Sequence, residues 1–284
     1  MVVQMIGIVS AQGILLLADP SGYILFIVIS VLVSISFAPI LLSISPTPAF
    51  ESTKPMRLFE LIRVSPLGAV GMFLLGGIFA AQFGMAAIYG SQVGLSLSEI
   101  SGFVASFYVG AMLLQYPIGW ISDRMDRRFL IVICAGIGAA AALLAIFSGA
   151  DYLFLLVAAF FVGGMSNPLY SLLIAHTNDF LEYEDMAAAS AGLLFINGIG
   201  AIAGPLIIGF MMESIGPVGF FLFIAVLLGM MGIYGAYRMT QRPAIAADDT
   251  SRYTPVAPTS SPVLVEMAQE YDIEVAIEDD ASQD

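Results

Sequence analysis

Residues 119–128 read Gly-Trp-Ile-Ser-Asp-Arg-Met-Asp-Arg-Arg and lie between two long apolar runs. Three of the nine Lys and Arg residues of the chain fall in this short turn. Its chemistry is charge pairing. A carboxylate such as Asp123 suits a helix N-terminus, where free N–H groups and the helix dipole are positive. Arg124, Arg127 and Arg128 form the kind of basic cluster that marks the cytoplasmic side of a membrane. Two readings stay open: a latch that docks and releases between conformations, or charges that only set topology.

A second set is neutral. Gln82, Tyr108, Gln115, Asn167, Tyr170 and Asn197 sit inside or beside apolar runs. Such side chains can line a solute path near the bilayer centre. They can equally tie helices together, at about 0.6 kcal/mol each. Both readings are open for the set. Asn167-Pro168 is its sharpest piece, because Pro168 frees a backbone carbonyl in mid-span and can kink the helix. Gly198, Gly200, Gly204 and Gly209 allow close helix approach in the run that holds Asn197.

Other chemistries find no support. The chain has no nucleotide loop, no Ser-His-Asp set, no cysteine pair and no zinc spacing, so neither an enzyme, a cofactor nor a nucleic-acid partner is expected. Cys134 reads as a small buried hydrophobe. His176, near Asp179, Glu182, Glu184 and Asp185, is a weak metal-ligand set. The blander reading is a solvated loop in which Asp185 caps the next helix. No charged residue lies deep in an apolar run, so no proton-coupling group is visible.

The elements around these residues follow from composition. The 284 residues are 59% hydrophobic and 11% charged, against about 25% charged in soluble domains. Apolar runs of about 18 residues or more read as membrane spans, and lipid forces them to be helical. Runs occur at 2–18 and 22–44, then at about 66–91, 99–120, 129–149, 153–175, 186–212 and 217–238. The expectation is an all-α polytopic transmembrane bundle of about eight spans. Residues 45–65 are basic and Pro-rich, with a short amphipathic segment around Met56–Ile62.

Orientation follows from the basic residues. With 45–64, 121–128 and the stretch after Arg238 inside, all nine Lys and Arg are inside and the outer turns hold none. Both termini are then cytoplasmic. The acidic inner loop 176–185 breaks the trend, but carboxylates weigh little in this rule. The net charge of −13 belongs mostly to the tail, where ten acidic and two basic residues follow Arg238. Residues 241–284 read as a disordered acidic tail; Val263 to Ala276 could alternatively form a short helix on a partner.

The pattern Gly119-x-x-x-Asp123-Arg124-x-x-Arg127-Arg128 resembles the loop signature of the major facilitator superfamily, roughly Gly-x-x-x-Asp-Arg-x-Gly-Arg-Arg. Asp126 stands where that family usually has Gly, which removes a permissive backbone position and adds a charge. Gln115-Tyr116-Pro117-Ile118-Gly119, Ile174-Ala175-His176-Thr177-Asn178-Asp179 and Gly204-Pro205 are similar to the YcaD-like branch. The resemblance covers residues 1 to about 240. It implies a fold of twelve helices in two halves, with the charged signature after helices 2 and 8 and a long linker between helices 6 and 7. The spans here then match helices 5 to 12, with the first four helices lacking. Residues 1–44 would be the last two helices of the N-terminal half, 45–65 the cytoplasmic linker and 66–240 a complete C-terminal half. Pseudo-symmetry implies that Asp123 docks on residues 1–5, the start of helix 5.

One pattern supports this correspondence from the residues themselves. Asn and Gln are absent from spans two, five and eight, the spans that would be the lipid-facing helices 6, 9 and 12. The implied function is alternating-access transport of a small solute across the inner (plasma) membrane, as part of a longer transporter. Its partners would be the solute, the bilayer and a second chain completing the N-terminal half. The alternative is a non-transporting membrane fragment that binds other membrane proteins.

Overall fold

An apolar segment in lipid must bond its own backbone, so each run becomes a helix. The computed structural model describes residues 2–19, 22–42, 56–147, 149, 151–241, 253 and 255–256. It is all-α. The elements are α1 (Val2–Ile14), α2 (Ile24–Ser36), α3 (Ala38–Leu42), α4 (Leu58–Val64), α5 (Pro66–Ala80), a π-helical turn (Ala81–Met85), α6 (Ala86–Gln92), α7 (Leu97–Ser122), α8 (Arg127–Phe147), α9 (Tyr152–Asn178), α10 (Tyr183–Ile215) and α11 (Val218–Met239).

Among the described residues, six spans are long and apolar enough to cross a membrane, with α5, the π turn and α6 forming one of them. The two runs before them differ from expectation. α1 and α2 have 13 residues each, about 20 Å of helix, short of the ~30 Å hydrocarbon core. In the second run the break has a clear cause. Pro39 has no N–H to give to the carbonyl of Ile35, and the helix is interrupted at Phe37 before α3 resumes. After Ile14 the first run tightens into three-residue turns, with Leu16 N–H bonded to Gly13 O at 3.1 Å.

Local signals place the remaining helix starts. Ser96 and Glu99 form a capping box: the Ser96 N–H donates to Glu99 Oε2 at 2.8 Å, and the Glu99 N–H donates to Ser96 Oγ at 3.4 Å. Asp151 accepts from the N–H groups of Leu153 and Phe154 at the start of α9. Ser65 caps α5, with Pro66 following, and also accepts from Thr177 Oγ1 at 3.0 Å. That hydroxyl pair ties the start of α5 to the end of α9. The start of α10 corrects an expectation: its N-cap is Glu182, without a side-chain bond, and Asp185 lies inside the first turn.

α9 is the central element. Every residue from Val162 to Asn178 is buried, and α9 packs on α5, α7, α8 and α10. Small residues permit this. A Cβ on Gly163 would lie 2.1 Å from the Phe107 carbonyl oxygen of α7, and one on Gly110 would lie 1.9 Å from that of Phe160. The two backbones therefore touch directly. On α10, Gly200 and Gly204 meet α5 in the same way, whereas Gly198 and Gly209 have open space beside them. α8 pairs with α11.

α1 lies on α7 through Met5, which packs with Tyr108 and Ala111. α2 has no buried residue. α4 is the amphipathic segment expected near 56–62: Leu61 is buried and Phe59 is exposed. Residues 43–55, which hold most of the linker, lie outside the described residues, as does the helix considered for Val263–Ala276. Gln241, Tyr253, Pro255 and Val256 are the described residues of the tail. Tyr253 and Val256 are packed against the bundle, and Val256 joins the main core.

Candidate functional site

The π turn sets the first polar cluster. π turns inside α-helices are frequent at functional sites. Here the turn carries Gln82, only 1% exposed. Gln82 Nε2 donates to Ser166 Oγ on α9 at 2.8 Å. Beside Ser166, Asn167 donates Nδ2 to the Gly163 carbonyl at 3.1 Å. The carbonyl oxygens Gln82 Oε1 and Asn167 Oδ1 are buried and find no partner among the described residues. A buried unpaired acceptor costs about 1–3 kcal/mol, so both are suited to a ligand that brings N–H or O–H donors. Aromatic rings flank the cluster. Phe79 stacks on Phe83, Phe83 on Tyr108, and Tyr170 tilts against Phe79, with centroids 5.4, 5.7 and 6.1 Å apart.

Gln115 lies two turns beyond Tyr108 on α7 and has different neighbours. Its Nε2 approaches Ser171 Oγ at 3.4 Å and donates to the Tyr253 hydroxyl. Asn197 is separate again. Its Nδ2 donates to the Met72 carbonyl at 3.0 Å and joins α10 to α5. The structure thus ties Gln82 to Ser166, links Tyr108 and Tyr170 through the Phe79 and Phe83 rings, keeps the Asn167 amide on its own helix, puts Gln115 in a second group, and engages Asn197 in a helix-to-helix bond.

The charged turn forms the end of α7 and the start of α8. Arg127 is buried and bridges the two sides. Its guanidinium pairs with Asp179 after α9, donates to the Ala175 carbonyl at 3.3 Å and to Ser122 Oγ at 3.3 Å, and lies 3.7 Å from Asp123. Asp126 performs a separate task. Its Oδ1 accepts from the Arg128 backbone N–H at 2.9 Å, and its Oδ2 pairs with the Arg128 guanidinium at 2.8 Å. The residue is therefore an N-cap for α8 as well as an ion-pair partner. Burial opposes its ionisation, but the hydrogen bonds and charge of Arg128 hold the carboxyl below its ordinary range. Arg124 sits over the Trp120 ring, 4.1 Å from its centroid.

Asp123 meets a partner other than the one expected. Its Oδ1 accepts from the Tyr253 backbone N–H at 2.9 Å. α1 touches α7 at Tyr108 and Ala111, about 18 Å along the axis from Asp123 at 1.5 Å per residue. Gly119 faces the Tyr253 ring, where a Cβ would lie 2.6 Å from Cδ1. Burial pushes the Tyr253 phenol above its ordinary range. His176 is buried, edge-on to Phe180, rather than in a solvated loop.

The match to known proteins now decides the family. The sequence pattern of the Major Facilitator Superfamily matches residues 67–265. The chain belongs to this superfamily. An uncharacterized MFS-type transporter, YfkF of Bacillus subtilis (strain 168), is 26% identical over 175 residues, covering 61% of this chain and 44% of its own length. The uncharacterized MFS-type transporter YcaD of Escherichia coli is 26% identical over 170 residues, covering 58% of this chain and 42% of its own length. An uncharacterized MFS-type transporter of Yersinia pestis is similar at 26% over 165 residues, 57% of this chain and 42% of that one. The chain spans a little over two fifths of the length of these relatives. It is a multi-pass membrane protein of a transport superfamily, not an enzyme.

Within this superfamily fold the sequence reading left out Ser166, Ser171, Asp179 as a pairing group, and Tyr253. A signal existed for two of them. Asn167, Ser171, Ala175 and Asp179 recur every four residues and so share one face of α9. Ser166 is set by the π turn, and Tyr253 by the return of the tail; neither has a local signature.

Proposed function

We propose that this chain moves a small polar solute across the inner (plasma) membrane by alternating access, with its long helices as one rocking half. The observation that carries the reading is the Gln82–Ser166–Asn167 cluster, whose two buried carbonyl oxygens lack partners among the described residues. In this reading the spans from Pro66 to Met239 are helices 7 to 12 of the superfamily fold, and α1, α2 and α3 stand for helices 5 and 6. The packing of α1 on α7 supports that correspondence. The facing half comes from chain beyond these helices or from a second chain. The exposed apolar residues Ile202, Leu206 and Phe210 on α10 offer a surface for it. Flux by the isolated monomer is not expected.

Binding tests the site directly. Purified protein is heated in detergent against a panel of small polar solutes. A solute at 100 times its dissociation constant stabilises by about 2.7 kcal/mol. Gln82→Leu abolishes that shift while the solute-free melting temperature stays within a few degrees. A shift that survives both Gln82→Leu and Asn167→Ala places the site elsewhere.

Orientation is part of the same proposal, with both termini cytoplasmic. A cysteine at Ser96 reacts with impermeant thiol reagents in intact cells. One at Ser52 reacts only after the inner face is opened. The reverse pattern inverts the topology and removes it from the proposal.

A further inference from the structure

Gln115, Gly119 and Asp123 are spaced four residues apart, so they share one face of α7. All three meet Tyr253. The Gln115 amide donates to its hydroxyl, Gly119 leaves room for its ring, and Asp123 accepts from its backbone N–H. Three residues on, Val256 is held from the α9 side. Ser171 Oγ donates to the Val256 carbonyl at 3.0 Å and accepts from its N–H at 2.9 Å. Val256 is 4% exposed. A segment remote in sequence thus sits between α7 and α9 by backbone and side-chain bonds together.

We propose that Tyr253 and Val256 form a built-in plug for the mouth between α7 and α9, at the end of the bundle marked by the basic turn. The plug engages Gln115, one of the polar residues that the sequence offers for a solute path, and Asp123, the carboxylate of the signature turn. While it is seated, a solute cannot reach Gln115, and the Asp123 oxygen that would receive another helix end is occupied. Opening at this face requires Tyr253 and Val256 to withdraw together. The segment is tethered to the end of α11, so its effective concentration is of millimolar order and modest contacts suffice to hold it. Its seating stands on the contacts alone; its role as a plug rests on the proposed solute path.

Two measurements on the full chain in membranes test it. In the first, Tyr253 is replaced by benzoylphenylalanine and photolysed. The expected product is a cross-link within the peptide that spans residues 115–123. Cross-links to lipid or to other chains, without that product, overturn the seating. In the second, Cys134→Ala removes the native thiol and Ser171→Cys supplies a reporter. The thiol introduced at position 171 is shielded from a small water-soluble maleimide in the full chain. Removing residues 243–284, or introducing Val256→Asp, speeds its labelling tenfold or more. Equal rates overturn the plug even where the cross-link forms. Each variant is checked for an unchanged elution volume, and the cross-link provides a reading that does not depend on the truncated form folding. Loss of solute binding in the thermal assay bears on the path and leaves both readouts intact.

Discussion

Arg127→Ala destabilises the folded protein by about 3–5 kcal/mol, the range found when one partner of a buried ion pair is removed. The Arg127 and Asp179 side chains are 2% and 3% exposed. Removing the guanidinium takes its ion-pair partner from the buried Asp179 carboxylate. It also strips a donor from the Ala175 carbonyl and from Ser122 Oγ. The loss is much larger than for Arg124→Ala, whose guanidinium covers an exposed indole and, among the described residues, bonds within its own turn. Replacing both partners, Arg127→Met with Asp179→Leu, recovers most of the stability, because both members of the buried pair are then apolar. Denaturant titration in micelles measures all three variants against the parent protein. A loss below about 1 kcal/mol for Arg127→Ala would show that water reaches the pair, as in exposed ion pairs.

Gly163→Ala is the second large effect. Its new methyl group would lie 2.1 Å from the Phe107 carbonyl oxygen and 2.5 Å from the Phe107 Cα. Backbone cannot swing aside as a flexible side chain can, so α7 and α9 must separate. Overpacking of this kind costs about 1–3 kcal/mol and occasionally more. Separation at Gly163 also loosens the neighbouring Gln82–Ser166 bond, so binding at the proposed site should fall with stability. Gly136→Ala is the control. Nothing lies within 4 Å of its Cβ position, and an alanine in a helix gains roughly 0.5–1 kcal/mol over glycine. Thermal melting of the two variants should move in opposite directions. Equal shifts would mean that the α7–α9 approach is looser than these distances.

Much of the architecture was legible in the chain because lipid leaves the backbone few choices. An apolar run such as 129–149 or 217–238 has to be a helix, and α8 and α11 follow those runs closely. The charged turn at 121–128 was legible for the same reason, since a dense cluster of arginines cannot stay in hydrocarbon. Hydropathy failed where length alone was the criterion. The run at 22–44 is apolar throughout, but Pro39 removes one backbone donor, and the helix is interrupted at Phe37.

The sequence by itself determined the all-α membrane class, the superfamily signature and the polar residues worth watching. It could not rank those residues, because an amide in an apolar run looks the same whether it binds a neighbour or a ligand. Only the tertiary structure gave each amide its neighbours. It engaged the Asn197 amide with the Met72 carbonyl, left Gln82 Oε1 without a partner among the described residues, and turned Gln115 toward Tyr253. The pairing of Arg127 with Asp179 and the return of Val256 to Ser171 join residues 52 and 85 positions apart. The four-residue period puts Ser171 and Asp179 on one face of α9, but which partners meet that face is set by how whole helices pack.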